Sequence, residues 1–441
     1  MRISLRGRRT TLALCAVVVA SGVGMAGPGA AASTHSNRAL VHPLVGAYYY
    51  LWNPQNMDTG NMRSHLEPPQ APPSSLVNSA SPQTAARDIA NAHRAGVNFF
   101  ALDWWPYDHA SAQQYNWSDA NMKNFLAAPD LGEMKFAMFY ETWNLGFDAS
   151  YEATPVTPQL EFLFDVDMIS FAEKYFNNPS YLKIGGRPVV FLYLTRTLTG
   201  DVAGMMQSAR TVLKQRGYNP FFIGDEVYWR VTPQSQVQQG DVQLTTQPQV
   251  ARMEQFDAVS SYTLYFGDTN PMLGPVQNST GYPGMTSLVT DQRFLLTAYR
   301  NATNNRIPVV PDVQPGFNDR GYRLATNHPV EPRQWVPGGG PASTLDHFFR
   351  CVAIPELDPK LPMVMLTSWD DWNEDTGIEP IPGTPTRTDD SPSGDAYTQG
   401  YTYGGEGSSA ERTVRRDVNL LHSSVAHGVP VPNPSAPCAG G

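Results

Sequence analysis

The chain has 441 residues, 41% hydrophobic and 11% aromatic, with 40 acidic side chains against 31 basic ones and a formal net charge of −9. No basic cluster offsets that balance, which argues against nucleic acid and anionic membranes as partners and leaves a neutral ligand as the simplest one. No histidine or cysteine cluster stands at ligand spacing, so no metal is expected.

In chain order, the first element reads as one that is removed. MRISLRGRRT is basic, LALCAVVVASGVGMA is apolar and GPGAAAS supplies small residues, the layout of a secretory signal peptide over residues 1–32 with cleavage near Ala32. Arg8-Arg9 is poorly flanked for a twin-arginine signal, and Leu14 before Cys15 does not suit lipidation, so a general export leader and a secreted protein are expected. Arg2, Arg6, Arg8 and Arg9 leave with it, so the mature chain keeps 27 basic residues against 40 acidic, a net charge of −13. No later stretch approaches the ~20 apolar residues of a membrane span. Residues 33–42 read as a loose segment, 43–425 as one domain and 426–441 as a Pro-rich tail.

Eight short apolar runs follow: LVGAYYYL (44–51), NFFALDWW (98–105), KFAMFYET (135–142), PVVFLYLT (188–195), NPFFIGDEV (219–227), AVSSYTLY (258–265), IPVVPDVQ (307–314) and MVMLTSWD (363–370). Helical patterns lie between most of them, at 82–96, 161–176, 201–217, 287–302 and 343–354, and a last one at 411–421 closes the series. Near-continuous apolar strands alternating with amphipathic helices imply parallel strands buried on both faces. Eight such units predict a (β/α)8 barrel with long loops on its catalytic face; a doubly wound sheet is the rival, but no G-x-G-x-x-G follows the first strand. The mature chain keeps Cys351 and Cys438, which an oxidising compartment would let pair if the fold brings them together.

In a barrel the strand ends converge on one face. They carry Tyr49 and Trp52, then Asp103, Trp104 and Trp105, then Glu141 and Trp143, then Tyr193, Glu226, Asp312 and the stretch SWDDWNEDTGIEP (368–380) with Asp371, Trp372, Glu374 and Glu379. Flat rings stack on the apolar faces of sugars, while carboxyl groups bind hydroxyls and move protons, so this set points to carbohydrate. Tyr48 and Tyr50 share one strand face, and part of the YYY run is core packing. Asp225 and Glu226 point to opposite faces, so at least one is structural. A solvated acidic loop has no use for tryptophans, and the 370–375 stretch lacks the calcium-loop pattern, so a catalytic or binding role fits it best.

SWDDWNEDTGIEP resembles the strand-eight motif of glycoside hydrolase family 99, the endo-α-mannosidases and endo-α-mannanases. GAYYYLW, AGVNFFALDWW, FAMFYETWN, NNPSYLKIGGRPVVFLY and PGFNDRGYR are similar, in the same order, to further segments of that family, over roughly residues 44–380. The resemblance implies that Asp371 takes the place of the first catalytic carboxylate, which draws the proton from the sugar 2-hydroxyl, and Glu374 that of the acid/base. Glu141 takes the place of a substrate-binding glutamate. Asp371 is one methylene shorter than the family's glutamate, and Asp-x-x-Glu equally resembles the pattern of family 71, the inverting α-1,3-glucanases. The expectation is therefore an endo-acting hydrolase of a neutral α-linked polysaccharide, α-mannan first and α-1,3-glucan second, working without a cofactor and as a monomer. A non-catalytic carbohydrate-binding barrel is the rival reading, and a polysaccharide-assembly protein the third.

Overall fold

The computed structural model describes residues 42–53, 67, 76–105, 107–108, 113–114, 116–145, 154–227, 248–262, 282–319, 330–382, 406–426 and 438. Most of the long connections lie outside them, as do the leader, residues 33–41 and nearly all of the tail. Residues 41–441 form one compact unit.

Eight parallel strands close on themselves: β1 (Leu44–Tyr49), β2 (Phe99–Trp104), β3 (Lys135–Glu141), β4 (Arg187–Tyr193), β5 (Phe221–Asp225), β6 (Ala258–Ser260), β7 (Asp312–Val313) and β8 (Met363–Leu366). Seven of the eight junctions are ladders or parallel bridges between neighbours in sequence, such as Val259 with Val309 between β6 and the residues entering β7. The eighth returns β8 to β1, with Leu44 opposite Met363 and Ala47 opposite Leu366. The predicted (β/α)8 barrel is therefore borne out.

The helices are α1 (Pro82–Ala95), α2 (Asn116–Leu126), α3 (Pro158–Tyr175), α4 (Val202–Lys214), the single turn α5 (Val250–Met253), α6 (Tyr282–Ala302), α7 (Ser343–Phe348) and α8 (Ser409–Ala426). Their ends follow capping chemistry. The Ser81 hydroxyl accepts the Thr84 N–H at the start of α1, and Gly96 leaves its end with φ 87°, a region open to glycine. Helix α2 went unpredicted because its sequence, NWSDANMKNFL, is polar and lacks a clear apolar stripe.

Two apolar layers follow from strand alternation. Tyr48, Phe99, Ala101, Phe139, Phe191, Ile223, Val310 and Met365 fill the barrel interior. Tyr49, Phe100, Leu102, Trp104, Tyr140 and Leu366 face the helices. The interior is packed solid: a Cβ on Gly46 would lie 2.2 Å from the Phe99 ring and 2.7 Å from Met365 Sδ. Each buried Phe or Met adds roughly 1.5–3 kcal/mol over an exposed one. In a barrel of this kind a ligand meets the rim at the C-terminal ends of the strands.

Cys351 and Cys438 are joined in a disulfide, the pairing that the sequence left open.

Candidate active site

The rim is built from inward-facing positions at the strand ends. Asp103 lies opposite Phe139 across the β2–β3 ladder, and Glu141 is two residues further along the same face. Tyr193 lies opposite Glu141 on β4. Asp225 ends β5, and Tyr262 follows β6. From β1, the Tyr50 ring stacks on Trp52 with centroids 4.3 Å apart, and its hydroxyl meets that of Tyr262.

The loop after β8 completes the circle. Asp371 Oδ1 accepts the backbone N–H of Asn373 at 2.9 Å and of Glu374 at 3.2 Å, while the Asp371 N–H donates to Ser368 Oγ at 2.8 Å. This Asx-type turn brings Glu374 to the rim, half-buried where Asp371 is buried. The neighbouring Asp370 turns back, its Oδ1 accepting the Tyr50 N–H at 2.8 Å. Arg333 holds the far side of the loop, donating to the carbonyls of Asp375 at 2.8 Å and Gly377 at 2.9 Å and pairing with Glu406 at 3.2 Å.

The charges explain one another. Asp371, Glu374, Asp103 and Glu141 all act on the Tyr50 hydroxyl, whose pKa is pushed well up, first by burial and then by those four carboxyls. Burial likewise pushes Glu141 well above the usual carboxylate range, helped by Asp103, Glu374, Asp225 and Asp371. Asp103 moves the same way, again chiefly through burial, although the Trp105 indole N–H donates to its Oδ1 at 2.9 Å. Asp225 is braced by the Arg196 guanidinium and by the backbone N–H groups of Leu194 and Tyr262, each at 3.2 Å.

The structure thus brings Asp103, Glu141, Tyr193, Asp371 and Glu374 together, with Trp52 and Trp105 half-buried beside them at a centroid distance of 6.2 Å. Asp312 also points inward, but below the rim, buried beside Tyr48 and Thr367. The Trp143 side chain lies outside the described residues.

Other candidates sit elsewhere, for reasons of strand alternation and pairing. Tyr49 faces the helices and donates its hydroxyl to Asp88 of α1 at 3.1 Å. Trp104, also on an outward position, packs on Phe171 and donates its indole N–H to Asp119 at 3.0 Å. Glu226 is fully buried and held by Arg252 Nε at 2.8 and 2.9 Å, so Asp225 takes the inward position instead. Trp372 is buried among Val77 and Ile381 and donates its indole N–H to Glu379 at 2.7 Å; Glu379 in turn accepts from Arg87 at 2.9 Å. Ring and carboxylate are both buried, and the pair anchors the loop. Conversely, Tyr50, Tyr262 and Arg196 went unmarked in the sequence. Alternation from Tyr48 already placed Tyr50 on the inner face; nothing local marked the other two.

The chain belongs to the family described as glycosyltransferase WbsX, whose model matches residues 63–384. Its fold is similar to that of the GH99 endo-α-mannosidase from Bacteroides thetaiotaomicron, at 15% identity and a TM-score of 0.57, covering 87% of this chain and 98% of that one. A protein described as glycoside hydrolase-like is similar at 17% identity and a TM-score of 0.57, covering 86% of this chain and 94% of its own. Among curated proteins none matches. The family-99 resemblance read from the eighth-strand motif thus holds at the level of fold.

Proposed function

We propose that the protein is a secreted glycoside hydrolase acting within α-linked polysaccharide chains, with α-mannan as its first substrate. One observation carries the reading: Asp103, Glu141, Asp371 and Glu374 converge on Tyr50 at the C-terminal mouth of the barrel. Beside them Trp52 and Trp105 are partly open to stack on a sugar. Glycosidic cleavage uses two carboxyl groups, and the Asx turn ties one to the other.

Glu374 protonates the leaving oxygen. Asp371 takes the proton of the sugar 2-hydroxyl, and the freed oxygen closes on the anomeric carbon. Water, activated by Glu374, then opens the anhydro ring with retention while Asp371 returns its proton to the 2-oxygen. Glu141 holds a substrate hydroxyl. The shorter side chain of Asp371 favours a second course, in which it guides water directly onto the anomeric carbon of an α-1,3-glucan and inverts the centre. The leader-like N-terminus and the Cys351–Cys438 disulfide support export.

The test is release of reducing ends from a panel of α-mannans and α-glucans by wild type and Glu374→Gln, with the first-formed anomer followed by NMR. Cleavage by the wild type alone supports the hydrolase, and the anomer chooses between the two courses. Equal binding of one glycan by both proteins without cleavage overturns it in favour of a binding protein. The family's description favours one other reading, a glycosyl transfer; product formed only with a sugar nucleotide would establish that instead.

A further inference from the structure

Asp103 is not needed for either course above, yet it occupies the inner wall of the site. Its Oδ1 is taken by the Trp105 indole N–H, while its Oδ2 is buried with no N–H or O–H of a neutral or cationic group in reach. The group that acts on it from the same inner face is the Glu141 carboxyl. On the ladder Asp103 lies opposite Phe139, and Glu141, two residues further along the same inward face, is its diagonal neighbour, within reach of two acidic side chains. Two carboxylates side by side in a buried site repel one another when both are ionised; one proton between them turns that repulsion into a hydrogen bond.

We propose that Asp103 is a positioning residue that shares one proton with Glu141 and so presents Glu141 to the substrate as a hydrogen-bond donor, not as an anion. The inference rests on the hydrolase reading for its consequence in catalysis, but not for the pair itself. The groups facing the pair agree with it. From β1 comes the neutral Tyr50, from β4 Tyr193, from the loop after β8 Asp371 and Glu374, and from β5 Asp225, whose charge Arg196 balances. No lysine or arginine touches Asp103 or Glu141 among the described residues, so a proton is the counter-charge at hand.

If the pair shares its proton, deleting either carboxyl lets the other ionise. Infrared difference spectra of wild type, Asp103→Asn and Glu141→Gln at neutral pH should show one and the same protonated-carboxyl band missing from both variants. A band lost in only one of them, or in neither, overturns the proposal, and this readout holds whether or not any glycan is cleaved. Under the hydrolase reading, Asp103→Asn leaves Glu141 an anion and raises KM about tenfold with a smaller change in kcat, a loss on the order of one neutral hydrogen bond. Adding Glu141→Gln restores a donor and recovers KM; failure of that rescue, with the infrared result intact, would confine Asp103 to structure. A wild type that shows the band but cleaves nothing would sink the hydrolase reading and leave the pair standing.

Discussion

Glu374 donates its backbone N–H to the side chain of Asp371, three residues earlier, at 3.2 Å. The two proposed catalytic carboxyls are therefore one local unit. The turn needs the Asp371 oxygen as an acceptor, and the proposed chemistry needs it as a base, two demands that different substitutions separate.

Asp371→Asn keeps an acceptor and loses the base. It should fold with wild-type stability and lose at least a hundredfold in kcat, as removal of a general base does. Asp371→Ala should lose the same activity and also about 1–2 kcal/mol of stability, because the N–H groups of Asn373 and Glu374 lose their acceptor. Urea denaturation beside reducing-end release checks both, and equal stabilities for the two variants would count against the turn.

The aromatic residues divide in a way that alanine substitution can expose. Trp52→Ala should raise KM for a polysaccharide roughly tenfold, the scale of one stacked ring, at a stability cost of about 1 kcal/mol from its lost stack on Tyr50. Trp372→Ala should instead cost about 3–5 kcal/mol, as a large buried ring does, and abandon Glu379 beside Arg87. Thermal melts and steady-state kinetics on the two variants decide it.

That division marks how far the residues alone could speak. Alternation along a strand is fixed by the backbone, so Tyr50 inward and Tyr49 outward were readable from the YYY run. Trp372 was not, since it lies on a loop whose path depends on Arg87, through Glu379, and on Arg333, two residues distant in sequence that hold it from behind. Glu226 misled for a related reason. At a strand end an acid reads as functional until its partner is known, and Arg252 stands in a four-residue helical turn too short to announce itself.

Glu226 and Arg252 now make their own prediction. Removing the guanidinium by Arg252→Met leaves a fully buried carboxylate without its counter-charge, at a cost of about 3–5 kcal/mol. Replacing both, with Glu226→Gln in addition, should recover much of that loss. Chemical denaturation of the single and double variants measures the difference.

The rim also makes stability depend on pH. Glu141 and Asp103 bind protons in the folded protein above the range where they do so unfolded. Between the ordinary carboxylate range and neutrality the folded state therefore carries more protons, and stability falls as pH rises. Denaturation midpoints should decline from pH 5 to pH 8, and Glu141→Gln should flatten the slope. An equal slope in that variant would remove Glu141 from the account.

Reduction of the Cys351–Cys438 disulfide should lower stability by about 4.6 kcal/mol at most, the loop-entropy value for a separation of 87 residues. Cys438→Ser should match the reduced wild type in a melt.

The same bond has a consequence for proteolysis. It makes a covalent ring of residues 351–438, and that ring contains β8, Asp371, Glu374 and α8. A protease that cuts once inside the ring, anywhere between α8 and the loop that carries the two carboxyls, parts no piece from the molecule. The severed ends stay tethered, through β8 on one side and Cys438 on the other, and the barrel keeps its eighth strand.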